Sequence, residues 1–350
     1  MTSQVTAGVI GRAAAPPADA GRRFDLLVIV ATFAFGFGLF IDGWAHVSRL
    51  PDSFWTVWHA ILYSGYAATA SVIVGAVALR RPAAASWRAA VPRGYGASLI
   101  GVAVFGIGGL ADMAWHVAFG VEVGNDALLS PSHLLLALGG ALMATGPLRA
   151  DLHRGDHSRS LADRVPMVLS LAMFFSLLTF FTLYADPYAP LLGARFSGLG
   201  EDKMFHGLLG MFLFSALLSG VVLVMLRRTV LPVGTLTVLL GLNAIAMNLM
   251  HSRGPAETTL TFIGVALLTG AIGDGLVVVL RPSAARPAAL RLVAALVPAA
   301  FWILYFPAVA IHRGPLAWSF TFVSGSIVLC AIVGLLLSYV AIPPVQQESS

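Results

Sequence analysis

The chain has 350 residues, of which 58% are hydrophobic and only 11% charged, against about 25% charged in an ordinary soluble domain. With a mean hydropathy of +0.87, it lacks the polar residues to build a water-facing surface, which excludes a soluble enzyme, a disordered chain and a nucleic-acid-binding module. One cysteine, Cys330, excludes a disulfide scaffold and a thiolate cluster.

Residues 1–23 are Ala/Pro-rich and read as a disordered tail. A membrane helix needs about 20 largely apolar residues, and the chain from 24 to 341 supplies ten such runs. They cover approximately 25–47, 54–79, 97–118, 130–149, 165–185, 204–226, 232–251, 257–280, 290–312 and 316–340. The fourth run is short and Gly-rich, and the ninth carries Pro298 and Pro307. Residues 342–350 form a second tail. The expected fold is all-α and polytopic, with the spans paired as five hairpins over 25–79, 97–149, 165–226, 232–280 and 290–340.

Ten spans place both termini on one side. That side then holds sixteen of the 21 Lys and Arg residues, including Arg22, Arg80, Arg149, Arg164, Arg227 and Arg281. Cytoplasmic loops carry the basic excess, so both termini are expected in the cytoplasm and the hairpin turns outside the plasma membrane. Trp44, Trp55, Trp58, Trp115 and Trp318 all fall near the outer ends, where an interfacial aromatic belt is expected.

The outer ends also repeat. Asp42 and His46 close the first span, and His59 opens the second. Asp112 and His116 close the third, and His133 opens the fourth. The Asp and the first His recur at an offset of 70, and the second His at an offset of 74. Similarity then fades: Asp186 follows His116 at the same offset of 70, and Asp202 precedes His206, which follows His133 at 73. Such periods imply stacked, related units.

Residues four apart share one helix face, so Asp42 with His46, and Asp112 with His116, point at common volumes that a His on the partner helix can close. Two imidazoles and one carboxylate with open positions suit non-haem Fe(II), and imidazole also suits Cu and Zn. The motif Asp42-x3-His46-x12-His59 resembles the metal-binding motif of the C subunit of the copper membrane monooxygenases, which oxidise methane or ammonia. The resemblance runs only from Asp42 to His59, with three fixed positions; Asp112-x3-His116-x16-His133 is a looser version. It implies copper and partner membrane subunits. Ten spans and an internal duplication depart from that subunit.

Other polar residues have plainer readings. Asp202 reads as a helix cap, with His206 on the next turn. Asp186-Pro187 reads as a turn, and Glu122 either as an outer carboxylate or as a solvated loop charge. Asp274 is expected to pair with an Arg, and Asn243 and Asn248 to hold helices together.

Four functions stay open at this level. One is a metalloprotein acting by redox or hydrolytic chemistry on a small or lipid-like substrate. The others are a transporter or channel, a haem protein, and a metal-free structural or partner-binding subunit. A channel fits poorly, because transport sites usually lie near the midplane and the polar groups here cluster at one end. The topology has a direct check. Cysteines introduced at positions 125 and 195 should be labelled from outside the cell, and those at 85 and 155 should not; the reverse pattern would invert the orientation.

Overall fold

The computed structural model describes residues 19–50, 53, 55–84, 86–120, 124–155, 160–188, 201–251 and 256–343. These residues are helical throughout, apart from turns and one isolated bridge between Ser283 and Arg286. The main helices are α1 (Arg22–Val47), α2 (Val57–Arg80), α3 (Gly96–Phe119), α4 (Pro131–Ala144), α5 (Gly146–Arg154), α6 (Leu161–Phe181), α7 (Glu201–Arg228), α8 (Thr235–Met250), α9 (Ala256–Leu280), α10 (Pro287–Arg313) and α11 (Phe320–Ala341).

Eight of them, α1, α2, α3, α6, α7, α9, α10 and α11, are long and apolar enough to cross a membrane. The chain is a multi-pass membrane protein. The other two expected spans are shorter. α4 has 14 residues and α8 has 16, or about 21 and 24 Å at 1.5 Å per residue, below the roughly 30 Å hydrocarbon thickness. The expected continuous helix over 130–149 breaks at Thr145. Pro147 disfavours helical geometry at the residue before it and has no N–H to donate. The Thr145 hydroxyl donates to the Ala141 carbonyl at 2.7 Å and so closes the end of α4.

Local signals set the other boundaries. Ser130, Ser160 and Ser319 cap α4, α6 and α11 by accepting a backbone N–H three residues on. Pro131 and Pro287 stand in first turns, where no intrahelical donor is needed. α3 ends at Gly120 and α5 at Gly155, both with positive φ. α10 runs unbroken through Pro298 and Pro307.

Four expected hairpins pack as adjacent pairs: α1 with α2, α3 with α4, α8 with α9, and α10 with α11. The third is splayed. α6 packs on α8, α5, α1 and α4, and is the most enclosed of the spanning helices. α7 instead leans on α11 and α10.

The first two hairpins repeat in detail. Gly65 on α2 lies against the Phe35 backbone of α1, and Gly139 on α4 lies against the Phe105 backbone of α3. Gly38 meets Leu62, and Gly108 meets Leu136. Each pair maps onto the other by the offsets of 70 and 74. A side chain at these glycines would enter the facing backbone, so the repeat preserves the helix crossing itself.

At the basic end of the bundle the polar groups are buried and paired. Asp25 accepts from the Tyr95 hydroxyl at 2.7 Å and from the Arg154 guanidinium at 2.6 Å. Burial first, and then Asp25, push the Tyr95 phenol well above its ordinary range. Asp151 pairs with Arg164 at 3.2 Å, and Arg164 also donates to the Thr229 hydroxyl and the Val230 carbonyl. These contacts tie α1, α5, α6 and the end of α7.

Two expectations are corrected here. Asp274 does not pair with an Arg. It accepts the Leu236 and Thr237 backbone N–H groups, both at 3.0 Å, together with the Thr237 hydroxyl. The carboxylate thereby meets the partial positive charge at the start of α8. Trp318 is buried against Phe306 and Phe322 rather than exposed in an interfacial belt. Asn243 does link helices, donating from α8 to Thr179 on α6 at 2.6 Å, and Cys330 is buried.

The glycine contacts give a stability test. Gly65→Leu and Gly139→Leu should each cost about 1–3 kcal/mol, as overpacking does, read as a fall in melting temperature. Gly75→Leu, at a glycine whose added Cβ meets nothing within 4 Å, should leave it unchanged.

Candidate metal centre

Both trios form at the turn ends of their hairpins, and both converge. Asp42, His46 and His59 make one group and Asp112, His116 and His133 the other; within each, the ligand atoms lie within 4.8 Å of one another. Either group could hold a metal ion. The rise of about 6 Å over four residues sets Asp and the first His one turn apart on a single face. The second His stands in the first turn of the antiparallel partner, and the glycine crossings bring that turn within reach.

In the first group, Nε2 of His59 lies 3.2 Å and Nε2 of His46 3.8 Å from Asp42 Oδ1. In the second, His116 Nε2 lies 3.4 Å from Asp112 Oδ2, and His133 Nδ1 lies 3.4 Å from Asp112 Oδ1. The imidazole rings stand 6.4 Å apart in one group and 6.0 Å in the other. The carboxylates are nearly enclosed, whereas the His46 side chain keeps 31% of its surface open.

The surroundings orient the rings. Nδ1 of His59 faces the Ser53 carbonyl at 2.9 Å and the Thr56 hydroxyl at 3.0 Å. A carbonyl only accepts, so that nitrogen carries a proton, and Nε2 is the ring nitrogen that faces Asp42. A ring nitrogen and a carboxylate oxygen at 3.2 Å are held together by a proton or a metal cation between them. His ligands in metal sites are commonly held this way, through a hydrogen bond at the far ring nitrogen. In the second group, Ser130 Oγ lies 2.6 Å from His133 Nδ1, and the Ser132 hydroxyl donates to Asp112 Oδ1 at 2.9 Å.

Sequence reasoning does not single out Ser53, Thr56, Ser130 or Ser132. Thr56 and Ser130 carry a usable signal, since each is the cap three residues before the second His and the two are separated by the offset of 74. Ser132 carries no such signal, because Trp58 takes its place in the first unit.

The secondary candidates do not assemble into a third group among the described residues. His206 turns Nδ1 to the Asp202 backbone carbonyl at 2.6 Å rather than to its carboxylate. Asp186 is buried and accepts the Tyr188 backbone N–H at 2.9 Å, which makes it a turn residue. Glu122 lies outside the described residues. His251 bonds the Met247 carbonyl of its own helix, and His312 bonds Thr261 and Thr258 on α9.

No family model, curated protein or solved structure matches this chain. Ser132 offers a test of the orienting shell. Ser132→Ala removes the donor to Asp112 without touching a ligand atom. If the second group holds a metal, its affinity in a protein whose first group is broken by Asp42→Ala/His46→Ala should fall about 10–100-fold by calorimetry, the usual effect of losing a hydrogen-bond partner behind a ligand.

Proposed function

We propose that the protein is an integral membrane metalloprotein in which each His/His/Asp trio holds one transition-metal ion. The observation that carries this reading is the orientation of His59: its far nitrogen is committed to a backbone carbonyl, and its near nitrogen converges with His46 on one carboxylate. The recurrence of the set at equivalent positions of a second hairpin supports it.

The donors are two neutral imidazoles and one carboxylate, a set that suits Fe(II), Cu or Zn. The resemblance of Asp42-x3-His46-x12-His59 to the copper membrane monooxygenase motif favours copper. Three protein ligands would leave coordination positions open, and His46, at the turn end of its hairpin, keeps 31% of its side-chain surface exposed. Such a centre supports redox chemistry on a small or lipid-like molecule. The metal would supply Lewis acidity or electron transfer; the chain's own residues hold it, fix the imidazole tautomers and limit access. The basic excess at the opposite end supports cytoplasmic termini and an outward-facing site in the plasma membrane.

Metal analysis of the purified chain tests the reading. The wild type should carry two equivalents, and either Asp42→Ala/His46→Ala or Asp112→Ala/His116→Ala should carry one. Equal metal content in all three proteins would sink it and leave a structural subunit in its place.

A further inference from the structure

One side chain on the helix that carries His59 packs against the helix that carries Asp112. Tyr63 lies on α2, one turn inside His59, and so on the same face. Its phenol packs on Gly109 of α3, where an added Cβ would stand 3.0 Å from the hydroxyl oxygen and 3.1 Å from Cε1. Gly109 lies three residues before Asp112 and shares its face. The ring also meets Phe105 edge-on, with centroids 6.3 Å apart. One turn deeper, the Tyr66 hydroxyl donates to the Val102 carbonyl at 2.9 Å and fixes α2 against α3.

These contacts depart from the repeat. Leu39 takes the place of Gly109 in the first unit, and Ala137 takes the place of Tyr63 in the second. The units differ where they meet each other and agree in the Asp and His residues of the two trios.

Resting on the metalloprotein reading, we propose that the two trios form one electrostatically coupled pair, with Tyr63 as the positioning residue that fills the space between them. A divalent cation on one carboxylate leaves a net charge of +1 there. Across a gap filled by an aromatic ring rather than water, that charge acts at a lower effective dielectric and is weakly screened by salt. The second ion then binds more weakly than the first.

The experiment uses Cu(II) alone, added to the full-length chain in detergent and followed by calorimetry and electron paramagnetic resonance. His46→Ala/His59→Ala and His116→Ala/His133→Ala each break one trio and keep both carboxylates. Each should bind one equivalent. In the wild type, the second equivalent should bind about fivefold or more weaker than in either variant, a coupling of ordinary size. The spectrum of the fully loaded protein should be broadened relative to the half-loaded one. Tyr63→Ala or Tyr63→Leu should bring the second equivalent close to the single-trio values, and Tyr63→Phe, which keeps the ring, should retain the coupling. A wild-type isotherm equal to the sum of the two single-trio isotherms overturns the coupling and leaves the metal sites standing. Coupling that survives in the Ala and Leu variants overturns the role of Tyr63. Absence of Cu(II) binding in every protein overturns the metalloprotein reading and the coupling with it.

Discussion

A carboxylate enclosed in an apolar helix bundle needs a compensating charge or hydrogen-bond donor beside it. The arrangement of this protein follows from how that need is met. At the basic end, Asp25 and Asp151 are met by Arg154 and Arg164, cations that stay charged at any accessible pH. Asp274 is met by the first N–H groups of α8. These are permanent solutions, and they lock helices together. At the turn end, Asp42 and Asp112 are each met by two imidazoles, side chains that carry charge only when protonated. Compensation there is conditional on a proton or a metal. One end of the bundle is closed by fixed charges, and the other holds two His/His/Asp groups that could bind a metal ion.

The repeat shows which features the sites need. Gly65 against Phe35 and Gly139 against Phe105 set the same crossing twice, and the crossing decides whether the second His reaches the Asp. Thr56 and Ser130 both start a helix and bond Nδ1 of the ring three residues on, the nitrogen away from Asp42 in the first group and the one facing Asp112 in the second. Divergence falls on Ser132 against Trp58 and on Gly109 against Leu39. The second carboxylate is therefore more enclosed and receives a hydroxyl donor, while the first group is more open. The two groups thus have different surroundings and different exposure.

Much of this is legible in the sequence. Apolar run length locates the helices, because the bilayer fixes how many residues a crossing takes. Asp and His at fixed offsets locate both trios, because 3.6-residue periodicity makes i and i+4 neighbours. Partner choice is not legible. Hydropathy overlaps for helices that pair, from 1.6 to 2.4, and helices that splay, 1.8 and 2.5, so it does not reveal the separation of α6 from α7. Asp274 looks like an acid in search of an Arg, because capping of a distant helix start has no local pattern. Trp318 reads as interfacial from its position alone, yet its ring lies in an aromatic cluster of α10 and α11. Tyr63 looks like one more aromatic in a span; only the neighbouring glycine on α3 gives it a place.

The pairing of Asp25 with Arg154 carries a consequence for how the protein is made. The two residues are 129 positions apart in the chain. At a synthesis rate of about 5–20 residues per second, Arg154 emerges roughly 6–26 s after Asp25. During that interval α1 has entered the membrane with its acid lacking the guanidinium that will enclose it. The first hairpin must therefore keep its basic-end terminus at the water interface until Tyr95, and later Arg154 on α5, supply the donors to Asp25. Final seating of α1 is thus a late step in biogenesis, although α1 is the first helix made.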